Sequence, residues 1–207
     1  ARRRARTAVQ TATDLLRSEG YYQPSVQDDI EGTEPLKPIV QIDPGQRFTL
    51  AQSLILWSLP APDAPSSQKA TENLDLKVGA PGRAADIITA EGRIVAGLIR
   101  NGYADAEALP RQVVVDHATT TVQPNFNIAS GALVRLNGLK LITRGETDSE
   151  WVDGLAPWEA GDRFDPEDLA ELENRLFCIR MADHYTEDTY RVIAELEKKI
   201  EEMKKRG

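Results

Sequence analysis

Residues able to do chemistry are few in this chain. One cysteine, Cys178, and two histidines, His117 and His184, are the whole supply for thiol, imidazole or soft-metal chemistry. Cys178 and His184 have no second cysteine or nearby histidine to complete a zinc set, and no arrangement that would activate the thiol as a nucleophile. His117 closes a valine-rich run and reads as a structural strand-end residue. Asp28-Asp29 reads as a solvated strand edge, because a calcium site needs several more oxygen ligands at fixed spacing. Gly79-x-x-Gly82 precedes a helix, but no buried strand leads into it and the glycines are too few to cradle a phosphate. The expectation is a protein that is not an enzyme and holds no cofactor or metal.

Composition narrows the class further. Hydrophobic content of 41% and charged content of 28% over 207 residues are those of a globular chain of one or two ordinary domains, or three small ones. A single cysteine excludes a disulfide within the chain. Net charge of −8 argues against nucleic acid or an anionic membrane as partner. The basic cluster of Arg2, Arg3, Arg4 and Arg6 reads as the solvated side of a first helix. No apolar run approaches the roughly 18 residues of a bilayer-spanning helix, and the best candidate is interrupted by Ser58 and closed by Pro60. The sequence opens at Ala1 without a signal-like apolar segment and reads as a mature or cut form.

The elements are organised around residues 84–128. Ile87, Ile88, Ile94, Val95, Leu98 and Ile99 share a helical stripe, stopped by Asn101-Gly102-Tyr103. Val113 and Val115 then fall on one face of a strand, and Val122, Pro124, Phe126 and Ile128 on one face of the next, so the two are expected to pair as a hairpin. Upstream, Ala5, Ala8, Val9, Ala12, Leu15 and Leu16 predict a helix with a small-residue face, ended by Gly20-Tyr21. Strands follow over 26–30 and through Pro38, Val40 and Ile42, with a turn through Gly32 and Pro35 between them and a stop at Asp43-Pro44-Gly45. Residues 47–57 alternate as one strand facing inward through Phe48, Leu50, Leu54 and Leu56. Residues 60–71 read as a mobile loop, 73–78 as a short helix, 133–143 as a strand, 149–155 as a short helix. Asp165-Pro166 starts a longer helix whose inner line is Leu169, Leu172 and Leu176.

The order of these elements recurs. Gly20 and Gly102 are 82 positions apart, as are Gly79 and Gly161, while Ile42-x-x-Gly45 and Ile128-x-x-Gly131 are separated by 86. The fold class expected is α+β, built from tandem β-α-α-β-β modules, each a three-stranded sheet covered by two helices. Residues 1–45 form a first module without its opening strand, 46–131 a complete second, and 132–180 an incomplete third. Residues 181–207 form a charged helical extension whose seam is Ile193, Leu196, Ile200 and Met203, supported by Glu195–Lys199 and Glu201–Lys205 pairs.

A strand, two helices and a strand pair, repeated with a glycine-aromatic stop, resemble the polypeptide-transport-associated (POTRA) domain. The likeness is to its tandem use in the periplasmic arm of the translocation and assembly module family of the bacterial outer membrane. Leu15-Leu16-Arg17-Ser18-Glu19-Gly20-Tyr21-Tyr22, Ile99-Arg100-Asn101-Gly102-Tyr103, Val115-Asp116-His117, Phe126-Asn127-Ile128 and Trp158-Glu159-Ala160-Gly161 carry it. The resemblance implies a periplasmic location in a Gram-negative bacterium and a native chain continuing into a membrane β-barrel. It implies client outer-membrane polypeptides and an inner-membrane protein as partners. It also implies that the strand after the long helix lies at the sheet edge and accepts a further strand. Here the edge residues would be Val26, Gln27, Asp28, Asp29 and Ile30, and Arg111, Gln112, Val113, Val114 and Val115. A rigid spacer between membranes and a helix-mediated assembly module acting through the 193–203 seam are the alternatives.

Overall fold

The computed structural model describes residues 2–32, 37–140, 142, 149–181 and 187–204. Expectations that fall on 33–36, 143–148, 182–186 and 205–207, among them the turn at Pro35 and any role of His184, lie outside the described residues. The fold is α+β and divides into two compact units. The first comprises Ala1–Leu56, Asn73–Ile94 and Ala108–Ile128, the second Trp57–Glu72, Val95–Glu107 and Ala129–Gly207.

In the first unit, α1 (Arg2–Ser18) lies against an antiparallel pair, β1 (Ser25–Glu31) and β2 (Lys37–Asp43), with Val26 opposite Ile42 and Asp28 opposite Val40. The small face of α1 is narrower than its spacing predicts. Ala5 is buried and Val9, Ala12 and Leu16 half-buried, but Ala8 and Leu15 are exposed. Likewise Ile42 and Pro38 stand in solvent, leaving Val40 and its neighbour Ile39 as the half-buried side chains of β2. A two-stranded ribbon covered by one helix has one protected face, and too little apolar surface to bury every alternate residue.

Five further elements follow: β3 (Thr49–Leu50), β4 (Leu54–Trp57), α3 (Ala84–Ile99, running on into the second unit), β5 (Glu107–Asp116) and β6 (Thr121–Ala129). An eight-residue helix, α2 (Ala64–Thr71), belongs to the second unit. The sheet order is β3-β6-β4, and β5 also pairs with β6. Alternation along β6 is complete, Val122, Pro124, Phe126 and Ile128 being buried and the residues between them half-buried. The buried line of α3 is Ile87, Ala90, Glu91, Ile94 and Leu98; Ile88, expected in the stripe, is exposed because it sits about 100° round the helix from Ile87.

Three expectations fail here for identifiable reasons. Residues 47–57 are not one strand. Phe48 and Leu50 are buried, but Leu54 and Leu56 are exposed and Ile55 and Trp57 turn inward instead. The β3–β6 ladder is parallel, with the Thr49 N–H donating to Thr120 O at 3.1 Å and the Ala51 N–H to Val122 O at 2.8 Å. The next bond would run from residue 124 to Ala51 O. Pro124 has no N–H to give, so the ladder stops and the strand changes face across 51–53. Residues 60–71 are not a loop, because Asp63 caps α2 by accepting the Ser66 N–H at 2.8 Å and a proline follows in the first turn. With α2 in that place, 73–78 forms no helix.

In the second unit, α4 (Ser149–Asp153), α5 (Pro166–Met181) and α6 (Glu187–Lys204) surround one apolar cluster of Val152, Leu172, Leu176, Val192, Ile193, Leu196 and Ile200. The expected strand over 133–143 reduces, among the described residues, to a single bridge between Arg135 and Arg163.

The spacings of 82 and 86 reappear in the backbone hydrogen bonds. In the first unit the Phe48 N–H donates to Gly20 O at 2.8 Å, and in the second the Val134 N–H donates to Gly102 O at 2.7 Å. Phe48 O accepts from Gly82 at 2.9 Å, as Val134 O does from Phe164 at 3.1 Å. Leu50 donates to Ala80 O and accepts from Gly79, while Leu136 donates to Asp162 O and accepts from Gly161, at 2.7 and 2.8 Å in the first case and 2.8 and 2.7 Å in the second. Gly102 has φ +99°, and a Cβ there would lie 2.7 Å from Leu133 Cδ1, so glycine is required twice over.

Candidate functional site

Backbone left without a partner is the feature to look for where side-chain chemistry is sparse. β5 pairs with β6 alone, and β1 with β2 alone, among the described residues, so each leaves one margin of N–H and C=O groups without a strand beside it.

The two margins differ in character. Along β1, Val26 and Ile30 are half-buried, whereas Gln27, Asp28 and Asp29 are exposed, and Asp29 Oδ1 accepts its neighbour Ile30 N–H at 2.8 Å. Paired acids on an edge discourage a second strand from approaching. Along β5, Leu109, Arg111 and Val115 are half-buried, while Val113 and Val114 are 39% and 49% exposed beside Gln112. β5 therefore offers apolar side chains next to open backbone. Pro110 fixes its polarity. Pro110 O turns toward β6, where it accepts from the Asn127 side chain, so by the two-residue period Arg111, Val113 and Val115 aim their N–H groups at the open margin.

What holds β5 in place is partly electrostatic. Arg111 forms an ion pair with Glu91 of α3, whose side chain is mostly buried; the other carboxylate oxygen, Glu91 Oε1, has no hydrogen-bond partner among the described residues. The Asn127 amide donates to Pro110 O at 2.7 Å, bridging β6 to β5.

The residues singled out for chemistry take structural places. The His117 ring meets Phe48 edge-on at 5.5 Å, and Tyr22 meets the same ring at 5.4 Å. Gly82 donates to Phe48 O, accepts the Tyr22 hydroxyl at 3.3 Å, and leaves no room for a Cβ, which would fall 2.9 Å from Val122 Cγ2. Cys178 is exposed. Among the described residues no group of His, Cys, Asp or Glu is gathered as metal ligands would be, and no helix is long and apolar enough to cross a membrane.

Of the seam residues, Ile193, Leu196 and Ile200 are buried in the α5–α6 cluster and Met203 is 42% exposed. Sequence reasoning missed a cavity of about 550 Å³ between residues 134–140 and α6, lined by Leu136, Leu139, Trp158, Leu172, Ile200 and Met203 among others. The 82-residue spacing could have found it, since Leu169, Leu172 and Leu176 occupy the positions of Ile87, Ala90 and Ile94 but are followed by no valine-rich hairpin.

No protein-family model matches the sequence, and no curated protein does. The chain is similar to solved structures that include tandem POTRA domains. One is the crystal structure of Haemophilus influenzae BamA POTRA3-5, at 16% identity and TM-score 0.46, covering 86% of this chain and 70% of that one. Another is POTRA1-3 of the periplasmic domain of Omp85 from Anabaena, at 16% identity and TM-score 0.42, covering 84% and 71%. Both are loose global fits.

Proposed function

We propose that this chain is a periplasmic run of POTRA-type modules, divided at residues 45 and 131, that binds client polypeptides by adding them as a strand to β5. It would act in assembly or translocation of outer-membrane proteins, with an inner-membrane protein as a further partner. The observation that carries the reading is the open margin of β5, ten residues long, with Val113 and Val114 in solvent. Main-chain hydrogen bonds supply most of the affinity in such pairing, so clients of many sequences are accepted. β1 is the lesser site, because Asp28 and Asp29 flank it. The matching bonds of Gly20 with Phe48 in the first unit and Gly102 with Val134 in the second support the repeat.

Replacing Val113 with proline removes one N–H that faces the open margin. Binding of a urea-diluted outer-membrane β-barrel polypeptide, followed by fluorescence anisotropy, is expected to weaken about tenfold, the worth of a hydrogen bond or two at ~1 kcal/mol each. Circular dichroism should stay unchanged. Undiminished binding would overturn the β5 reading.

A further inference from the structure

The same helix face is covered in two different ways. In the first unit the buried line of α3, Ile87, Ala90 and Ile94, lies inside with Val122, Phe126 and Ile128 of β6. In the second, the matching line of α5, Leu169, Leu172 and Leu176, is also fully buried, and there the cover on Leu172 and Leu176 is α6, through Val192, Ile193, Leu196 and Ile200. A helix stands where a strand pair stands 82 residues earlier.

A helix is a poor copy of a strand in one respect: it satisfies its own backbone. In the first unit β6 and the residue before it also take N–H groups, that of Thr49 at Thr120 O and that of Ala51 at Val122 O. The counterparts of those donors are Arg135 N and Asn137 N. The opposite side of this segment repeats the earlier bonding through Val134 and Leu136, so its placement is the same. Yet Arg135 N and Asn137 N have no partner among the described residues. Directly beside them lies the apolar cavity of about 550 Å³, walled on the far side by Leu196, Ile200 and Met203 of α6.

We propose that this cavity is a docking groove for one extended polypeptide segment from another chain, with apolar side chains at alternate positions. It would pair in parallel with residues 135–137 as β6 pairs with β3. The chain's own β6 specifies the occupant's chemistry: an inward row such as Val122, Pro124, Phe126 and Ile128, and a polar row opposite. A cavity this size holds a few apolar side chains, and two outward-facing N–H groups fix the direction of the strand. The groove differs from the β5 margin in both residues and unit, so either site can fail without the other.

The test uses the full chain and a labelled peptide of residues 120–130. Saturable anisotropy is expected, together with slowed amide exchange at Arg135 and Asn137. A peptide with the two rows exchanged should bind at least tenfold more weakly. Asn137→Pro removes a donor and Met203→Trp fills the groove from an exposed position; each should reduce binding about tenfold, while Val113→Pro should leave it unchanged. Equal binding of the two peptides, no binding, or exchange protection confined to β5 would overturn the proposal. So would sedimentation showing that a second copy of the chain fills the groove and excludes the peptide.

Discussion

Asp63 holds one end of α2 and one end of an ion pair. Its carboxylate accepts the Ser66 N–H and receives Arg163 Nη2 at 2.8 Å, while its own N–H donates to the Tyr103 hydroxyl at 2.8 Å. The bonds from Ser66, side chain and backbone, with Arg163 adding to them, lower its pKa from the usual 3.8 to about 2. A carboxylate depressed in the folded state contributes stability that is complete above its ordinary value and lost as pH falls through the folded one. The melting temperatures of the wild type and Asp63→Ala should therefore differ at pH 6 and converge between pH 4 and pH 2. At neutral pH, loss of the cap is expected to cost about 1 kcal/mol in a urea titration. The residue is informative in another way. Asp63-Ala64-Pro65 is a helix start that can be read from sequence, and the surrounding proline, alanine and serine content concealed it, since that composition is shared by loops.

At the scale of the element, α3 carries two interior glycines with opposite consequences. A Cβ on Gly92 would meet nothing within 4 Å, whereas one on Gly97 would lie 2.7 Å from Ala70 Cα of α2. Gly92→Ala should stabilise the fold by about 0.5–1 kcal/mol through backbone entropy alone. Gly97→Ala should destabilise by about 1–3 kcal/mol, because the helices must separate. Guanidinium unfolding of the two variants checks both. The helices and the β5–β6 hairpin were legible because long periodic segments reveal their buried side. Strand faces were less so where a ladder partner intervened: alternation in 47–57 pointed Leu54 inward, whereas the ladder ends at Pro124, 70 residues away, and Leu54 turns out. For the candidate site, the β5 margin was legible as a valine-rich strand beside a stronger one. The cavity near Leu136 was not, because it exists through the docking of α6, which spacing within α6 does not specify.

Over the whole molecule, the second unit depends on α6 for its interior. Leu196→Ala removes a side chain 6% exposed from the α5–α6 cluster and should cost about 2–5 kcal/mol in equilibrium unfolding. Hydrogen exchange should place the loss in α5 and α6 and leave β1 and β2 as in the wild type. The two spacings have a consequence of their own. From Gln23 to Gly45, where the glycine sits against Gln23 O, is four residues shorter than from Asp105 to Gly131, where the glycine sits against the Asp105 side chain. The strands between grow from 7 residues each to 10 and 9. An antiparallel ribbon alternates wide and narrow pairs, so lengthening it by one residue per strand swaps the pair that meets its bend, and two per strand restores it. A ribbon of this kind that keeps its root and the facing of its far end therefore lengthens in steps of four residues, the difference between the two spans.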